Sequence, residues 1–227
     1  MPINWFTTDQ YQQMHGVKVA VYGPAGSGKT HLIKTMNNPF VLSIESGMLT
    51  LRKSQFHGAI INGTQDLKDV LHWLQTDQNS LQFTDIAIDS VSELAEKILD
   101  IRKLANKDPR KAYGEMQEEI VPLIKAFRDL PGRNVLFTFK EEYIKDEFTG
   151  QMKWAPSMPG RQLVKDVPYW FDEVFRAGVS IEPSTGAKVH YLQCQKIDAN
   201  DAKDRSSVLN VYEEPNLTNI FNKIANS

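Results

Sequence analysis

The sequence predicts an α/β fold: a mostly parallel central sheet with helices on both faces and an antiparallel edge late in the chain. Three observations predict it. Short apolar runs alternate with segments of helical periodicity between Val17 and Phe139. A glycine-rich turn joins the first run to a helical segment. After position 170, strand-like runs follow one another closely. Continuous apolar runs suit strands buried on both faces, and strand–helix alternation suits parallel pairing. Closely spaced strands suit antiparallel pairing.

The elements follow in order. Val17-Lys18-Val19-Ala20-Val21-Tyr22 reads as the first strand, and residues 29–36 as the helix after the glycine turn. Phe40-Val41-Leu42-Ser43-Ile44 is the second strand. Residues 66–75 form an amphipathic helix with Leu67, Val70, Leu71 and Leu74 on one face. Phe83-Thr84-Asp85-Ile86-Ala87-Ile88 is a strand leading into Asp89-Ser90. Residues 91–104 read as helix, 106–112 as an interruption, and 115–130 as helix again, with Pro122 a kink or boundary. Asn134-Val135-Leu136-Phe137-Thr138-Phe139 is a buried-type strand. The polar, Gly- and Pro-rich stretch 140–168 reads as a long loop or hairpin. Residues 172–179 and 187–194 are late strands, and 216–225 a terminal helix. These elements predict one domain over 1–227, with extensions at 1–16 and 206–227.

Composition narrows the class. The chain has 227 residues, 41% hydrophobic and 24% charged, enough for a sizeable core. Its one cysteine, Cys194, excludes an intramolecular disulfide framework and fits a reducing compartment. No apolar run reaches membrane-spanning length, and Met1-Pro2-Ile3-Asn4-Trp5 lacks a secretion signal. A cytoplasmic location without membrane attachment is expected. The net charge of -2 gives no general attraction for nucleic acid.

Gly23-Pro24-Ala25-Gly26-Ser27-Gly28-Lys29-Thr30 matches the phosphate-loop pattern in full, between a strand and a helix as that motif requires. Its glycines let backbone N–H groups converge on phosphate oxygens. Lys29 reaches the β- and γ-phosphates, and the Thr30 hydroxyl binds Mg²⁺. ATP and Mg²⁺ are the expected ligands. Asp89, at a strand end, either supports that metal or caps the following helix. Glu45 either activates the attacking water or is a solvated loop residue. Lys140 follows a central strand, at the sheet end where ligands gather, and either senses the γ-phosphate or is solvated. Lys203-Asp204-Arg205 sets two cations on one side of an extended backbone. They either reach a neighbouring subunit's phosphate or form a charged turn.

Two stretches are candidates for a polymer. Lys97, Arg102, Lys103, Lys107, Arg110 and Lys111 lie near Tyr113, though several acids dilute them. Within 140–165, Phe148 and Trp154 stand among cations, either as a stacking platform for single-stranded DNA or as a hairpin with Trp154 in the core. Trp73, Trp170 and Phe171 read as core, and His31 and His190 as structural. There is no His/Cys metal cluster.

The chain resembles the RecA-like ATPases, particularly the short bacteriophage recombination proteins of single-strand annealing. The matching pieces are residues 23–30, Leu42-Ser43-Ile44-Glu45-Ser46-Gly47, Ile86-Ala87-Ile88-Asp89-Ser90, residues 134–141, residues 163–179 with Phe171-Asp172-Glu173-Val174-Phe175, and Ala202-Lys203-Asp204-Arg205. The resemblance implies a RecA-like P-loop NTPase core with Glu45 as catalytic glutamate and Asp89 at the metal. It implies Lys140 as a link from the γ-phosphate to DNA-binding loops, and Lys203 and Arg205 as cations acting between subunits. It also implies a homo-oligomeric ring or filament on single-stranded DNA, with a phage single-strand-binding protein among the partners and a bacterial host cytoplasm as location. Lys140 stands where larger recombinases carry glutamine, so ATP-assisted pairing or annealing is expected ahead of full strand exchange. A small P-loop kinase and a nucleotide-controlled assembly module are the alternatives.

Overall fold

The computed structural model describes residues 5, 7, 10, 15–45, 48–147, 149–197 and 199–227. Ser46, Gly47, Phe148 and most of the expected 1–16 extension lie outside the described residues. The strands are β1 (Lys18–Tyr22), β2 (Pro39–Ser43), β3 (His57–Ile60), β4 (Asp85–Asp89), β5 (Asn134–Phe139), β6 (Glu141–Lys145), β7 (Met152–Pro156), β8 (Glu173–Ile181), β9 (Lys188–Gln193), β10 (Lys203–Asp204) and β11 (Tyr212–Glu213). The helices are α1 (Thr64–Thr76), α2 (Val91–Ala105), α3 (Pro109–Arg128), α4 (Arg161–Trp170) and α5 (Leu217–Ala225).

Six strands lie parallel in the order β3-β2-β4-β5-β1-β8. β9 and β10 pair antiparallel with β8, and β11 pairs antiparallel with β9. The expected antiparallel edge is therefore present. The inner parallel strands β1, β2, β4 and β5 are mostly apolar because both of their faces are covered. In β1, Ala20 and Tyr22 enter one core, and Val19 and Val21 the other. The same alternation separates Ile86 and Ile88 from Ala87, and Val135, Phe137 and Phe139 from Leu136. Phe171 closes on Phe137 at 4.8 Å between ring centroids. Burying each such ring contributes roughly 1.5–3 kcal/mol.

The structure refines several boundaries. The interruption expected at 106–112 shrinks, because α3 already begins at Pro109. Asp108 caps it by accepting from the Arg110 N–H, and proline suits a first helical turn. Pro122 lies inside α3 without ending it. The stretch 140–168 is built as the β6–β7 hairpin followed by the start of α4. Strand β3 is absent from the sequence reading: His57-Gly58-Ala59-Ile60 is a short, mostly exposed edge with no apolar alternation to signal it. α5 docks beneath the phosphate loop's following turn, burying Leu217, Ile220 and Phe221. Its first N–H groups need partners, and the Leu217 N–H donates to Thr35 Oγ1 at 2.9 Å.

Candidate active site

Parallel pairing brings the carboxyl ends of β1, β2, β4 and β5 to one edge of the sheet. Residues 23–30 leave β1 there and curl above it. The loop passes close to β8: a Cβ on Gly23 would stand 2.4 Å from the Ala177 carbonyl oxygen. Gly28 has φ +95°, a left-handed conformation that favours glycine. The helix expected over 29–36 is instead a 3-10 turn, Thr30–Thr35. Asn38 (φ 47°) and Pro39 follow closely, and the residue before a proline disfavours continued helix. A turn this short contributes little dipole, so converging loop N–H groups are the main anion-binding feature.

Lys29 folds back over its own loop, donating to the Gly23 and Pro24 carbonyls at 2.7 and 2.9 Å. Burial pulls its pKa down, while the carboxylates of Asp89, Glu45 and Glu141 oppose that shift. Thr30 Oγ1 donates to Asp89 at 2.7 Å. Thr138 Oγ1 donates to the other carboxylate oxygen. Burial raises the Asp89 pKa, and these two hydroxyl bonds work against the rise. A hydroxyl beside a carboxylate is a set of hard oxygen donors suited to Mg²⁺. Ser90, not Asp89, caps α2, its hydroxyl accepting from the Glu93 N–H.

Glu45 follows β2 and is half-buried. Its carboxylate accepts from Ser90 Oγ at 2.8 Å, and its N–H donates to the Asp89 carbonyl. Lys140 lines the same cavity as Glu45 and residues 23–30. Its ammonium is engaged by Glu93 (2.9 Å) and Glu96 (2.5 Å), both on α2. Lys203 and Arg205 are not brought to this chain's own phosphate loop. Lys203 pairs with Val174, and Asp204 with Glu173, at the start of β8, whereas the loop leaves the far end of β1. Lys203 donates to the Pro168 and Phe171 carbonyls, and Arg205 pairs with Asp172 at 2.9 Å.

Four of the six cations of the first polymer candidate are engaged within the chain. Arg102 pairs with Glu119, Lys103 with Asp100 and Lys111 with Glu115. Lys97 donates to the Ile44 carbonyl. Trp154 is half-buried, with Tyr143 at 4.7 Å and the Arg176 guanidinium 5.7 Å from its ring. This is nearer the hairpin-core alternative than a free stacking platform. Arg176 also pairs with Glu141 at 3.0 Å.

Three contributors were not legible in the sequence. Thr138 is a polar interruption in an apolar strand, which was the available signal. In the sequence, Ser90 stands out only as the neighbour of Asp89. His190, expected to be merely structural, lies against the phosphate loop, with Nδ1 3.1 Å from the Ser27 carbonyl oxygen. Among the described residues no group of three or more His, Cys, Asp or Glu could hold a metal ion. No described helix is long and apolar enough to cross a membrane.

A family model described as "AAA domain" matches residues 15–206. A search of curated proteins finds no match. Among solved structures, a KaiC-like protein from the hyperthermophilic archaeon Pyrococcus horikoshii OT3 is similar, at 13% identity and a TM-score of 0.40. The likeness covers 80% of this chain and 81% of that one. The fold is an α/β P-loop NTPase fold with a mixed central sheet, of RecA-like and AAA architecture.

Proposed function

We infer a function from one premise: the chain belongs to the AAA domain family. It is an ATP-binding and ATP-hydrolysing P-loop module. In the proposed chemistry, N–H groups of residues 23–30 cradle the triphosphate, and Lys29 leaves its loop carbonyls for the β- and γ-phosphates. Thr30 and Asp89 would hold Mg²⁺, which would offset charge on the phosphates. Glu45 orients a water and takes its proton as the oxygen attacks the γ-phosphorus. The bond to the β-phosphate oxygen breaks, leaving ADP and inorganic phosphate.

One observation carries this reading. The dipeptide Asp89-Ser90 ties the site together, because Asp89 accepts from Thr30 while Ser90 donates to Glu45. The metal-side hydroxyl and the base are thus fixed to consecutive residues. The test is Glu45→Gln, which keeps the Ser90 acceptor but removes the base. Turnover is expected to fall about a hundredfold or more with ATP binding retained. Normal turnover would remove Glu45 from the mechanism.

A second, finer reading is that hydrolysis drives single-stranded DNA binding, annealing or recombination. Tyr143 favours it: the residue is 49% exposed on the hairpin that begins one residue after Lys140. An exposed aromatic can stack on an unpaired base. In this reading Lys140 relays the phosphate state to the hairpin, and Lys203 and Arg205 act on a neighbouring subunit of a homo-oligomer. A phage single-strand-binding protein is then a candidate partner. Hydrolysis indifferent to DNA would favour a nucleotide-controlled assembly module, or a small kinase if an acceptor is phosphorylated.

A further inference from the structure

The phosphate loop is rich in glycine, and glycine leaves the adjoining peptide units free to turn over. Several of the loop's polar groups restrain it from within. The Ser27 N–H donates to the Pro24 carbonyl at 3.2 Å, and the Gly28 carbonyl accepts from the Leu32 N–H at 3.2 Å. Lys29 spans the Gly23 and Pro24 carbonyls. The peptide unit between Ser27 and Gly28 is held differently. Gly28 is left-handed at φ +95°, and its N–H donates to no group among the described residues. Among those residues the Ser27 carbonyl meets one partner, His190, whose Nδ1 stands 3.1 Å away.

His190 stands on β9, opposite Val179 of β8. The β8–β9 pair therefore meets the loop at both ends. Ala177 of β8 lies against Gly23, and His190 of β9 lies against Gly28, where an added Cβ would stand 3.2 Å from Nδ1. His190 also lines the cavity shared with residues 23–30. A carbonyl oxygen only accepts, so Nδ1 carries the proton and donates it to Ser27.

We propose that His190 is a positioning residue for nucleotide binding: by holding the Ser27 carbonyl it keeps the Gly28 N–H turned out as a phosphate donor. This rests on the triphosphate reading of the same cavity. The Ser27–Gly28 bond is trans, and in a planar trans peptide the C=O and N–H point in opposite directions. Held at its carbonyl, the unit offers its N–H on the side away from the imidazole. Turned over, it would offer a carbonyl oxygen there, and an acceptor repels a phosphate. The freedom of Gly28 makes both orientations accessible, and the bond from β9 selects the donor.

Calorimetric titration with ADP, followed by steady-state ATP hydrolysis, tests the assignment. His190→Phe keeps a ring and removes the donor, and ADP affinity is expected to fall about three- to tenfold. His190→Asn returns an N–H near the Nδ1 position and should bring affinity back to within about twofold of the unaltered protein. In hydrolysis the loss in His190→Phe falls on KM, with kcat changed much less. Thermal unfolding without nucleotide should give little change in Tm, because His190 lies on the exposed part of β9. Unchanged ADP affinity in His190→Phe, or His190→Asn binding as weakly as His190→Phe, would overturn the proposal. So would a loss of affinity that tracks a fallen Tm, which would make the residue merely structural. If the unaltered protein binds no ADP, or if Lys29→Ala binds it normally, the phosphate-loop reading itself fails and this role of His190 falls with it.

Discussion

The Thr30 hydroxyl donates to the Asp89 carboxylate at 2.7 Å, joining two residues 59 positions apart in the chain. Asp89 also receives Thr138, so two hydroxyls hold a carboxylate whose pKa burial pushes upward. Thr138→Val preserves shape and removes one of those donors. The Asp89 pKa is then expected to rise further, so the carboxylate protonates at higher pH. The acidic limb of the ATPase pH profile should move to higher pH, with little change at alkaline pH. A superimposable profile would show that Thr138 has no part in setting the charge of Asp89.

Lys29 spans the loop carbonyls of Gly23 and Pro24. Lys29→Ala removes the cation that the phosphates need. ATP affinity is expected to fall roughly ten- to hundredfold, with hydrolysis lost. Equilibrium binding separates this from Glu45→Gln, in which affinity persists. Binding unchanged in Lys29→Ala would place the triphosphate elsewhere.

Glu173 gives stability a pH dependence remote from the phosphate site. It is 1% exposed, and burial first, then the Asp204 charge, raises its pKa from 4.5 to about 8. Between those values the folded state keeps the proton and the unfolded state releases it. Stability therefore falls as pH rises from about 4.5 to about 8, by an amount on the order of a few kcal/mol. Lys18, lowered to about 8 by burial, acts above that window. Glu173→Gln should flatten the loss below pH 8 in denaturant unfolding and stabilise the protein at pH 8. A slope equal to that of the unaltered protein would assign the effect to another group.

The DNA reading makes its own prediction. Single-stranded DNA should raise ATP turnover severalfold, and Tyr143→Ala should reduce that stimulation while sparing basal turnover. The apparent DNA affinity should fall with added salt. Identical turnover with and without DNA would leave an ATPase whose work is done on something else.

How much was legible depended on how local each feature was. The strands β1, β2, β4 and β5 were readable because their burial on two faces produces unbroken apolar runs. The edge strand β3 was not, since exposure removes that signal. The turn after the loop resembles a regular helix in sequence because six residues cannot distinguish a 3-10 turn from the start of one. From sequence, Trp154 fits either core or platform, since its contacts to Tyr143 and Arg176 come from different strands.

The sequence by itself determined the phosphate loop, since residues 23–30 are contiguous and their conformation depends on local glycine freedom. It also determined the α/β layering, which follows from the period of apolar residues. Only the tertiary structure decided that Ser90 holds Glu45, that Thr138 completes the hold on Asp89, and that His190 lies on the loop. It likewise set Lys203 and Arg205 at the opposite end of the sheet. These relations join residues distant in the chain, and strand order and register, fixed by burial on both faces, choose which of them meet.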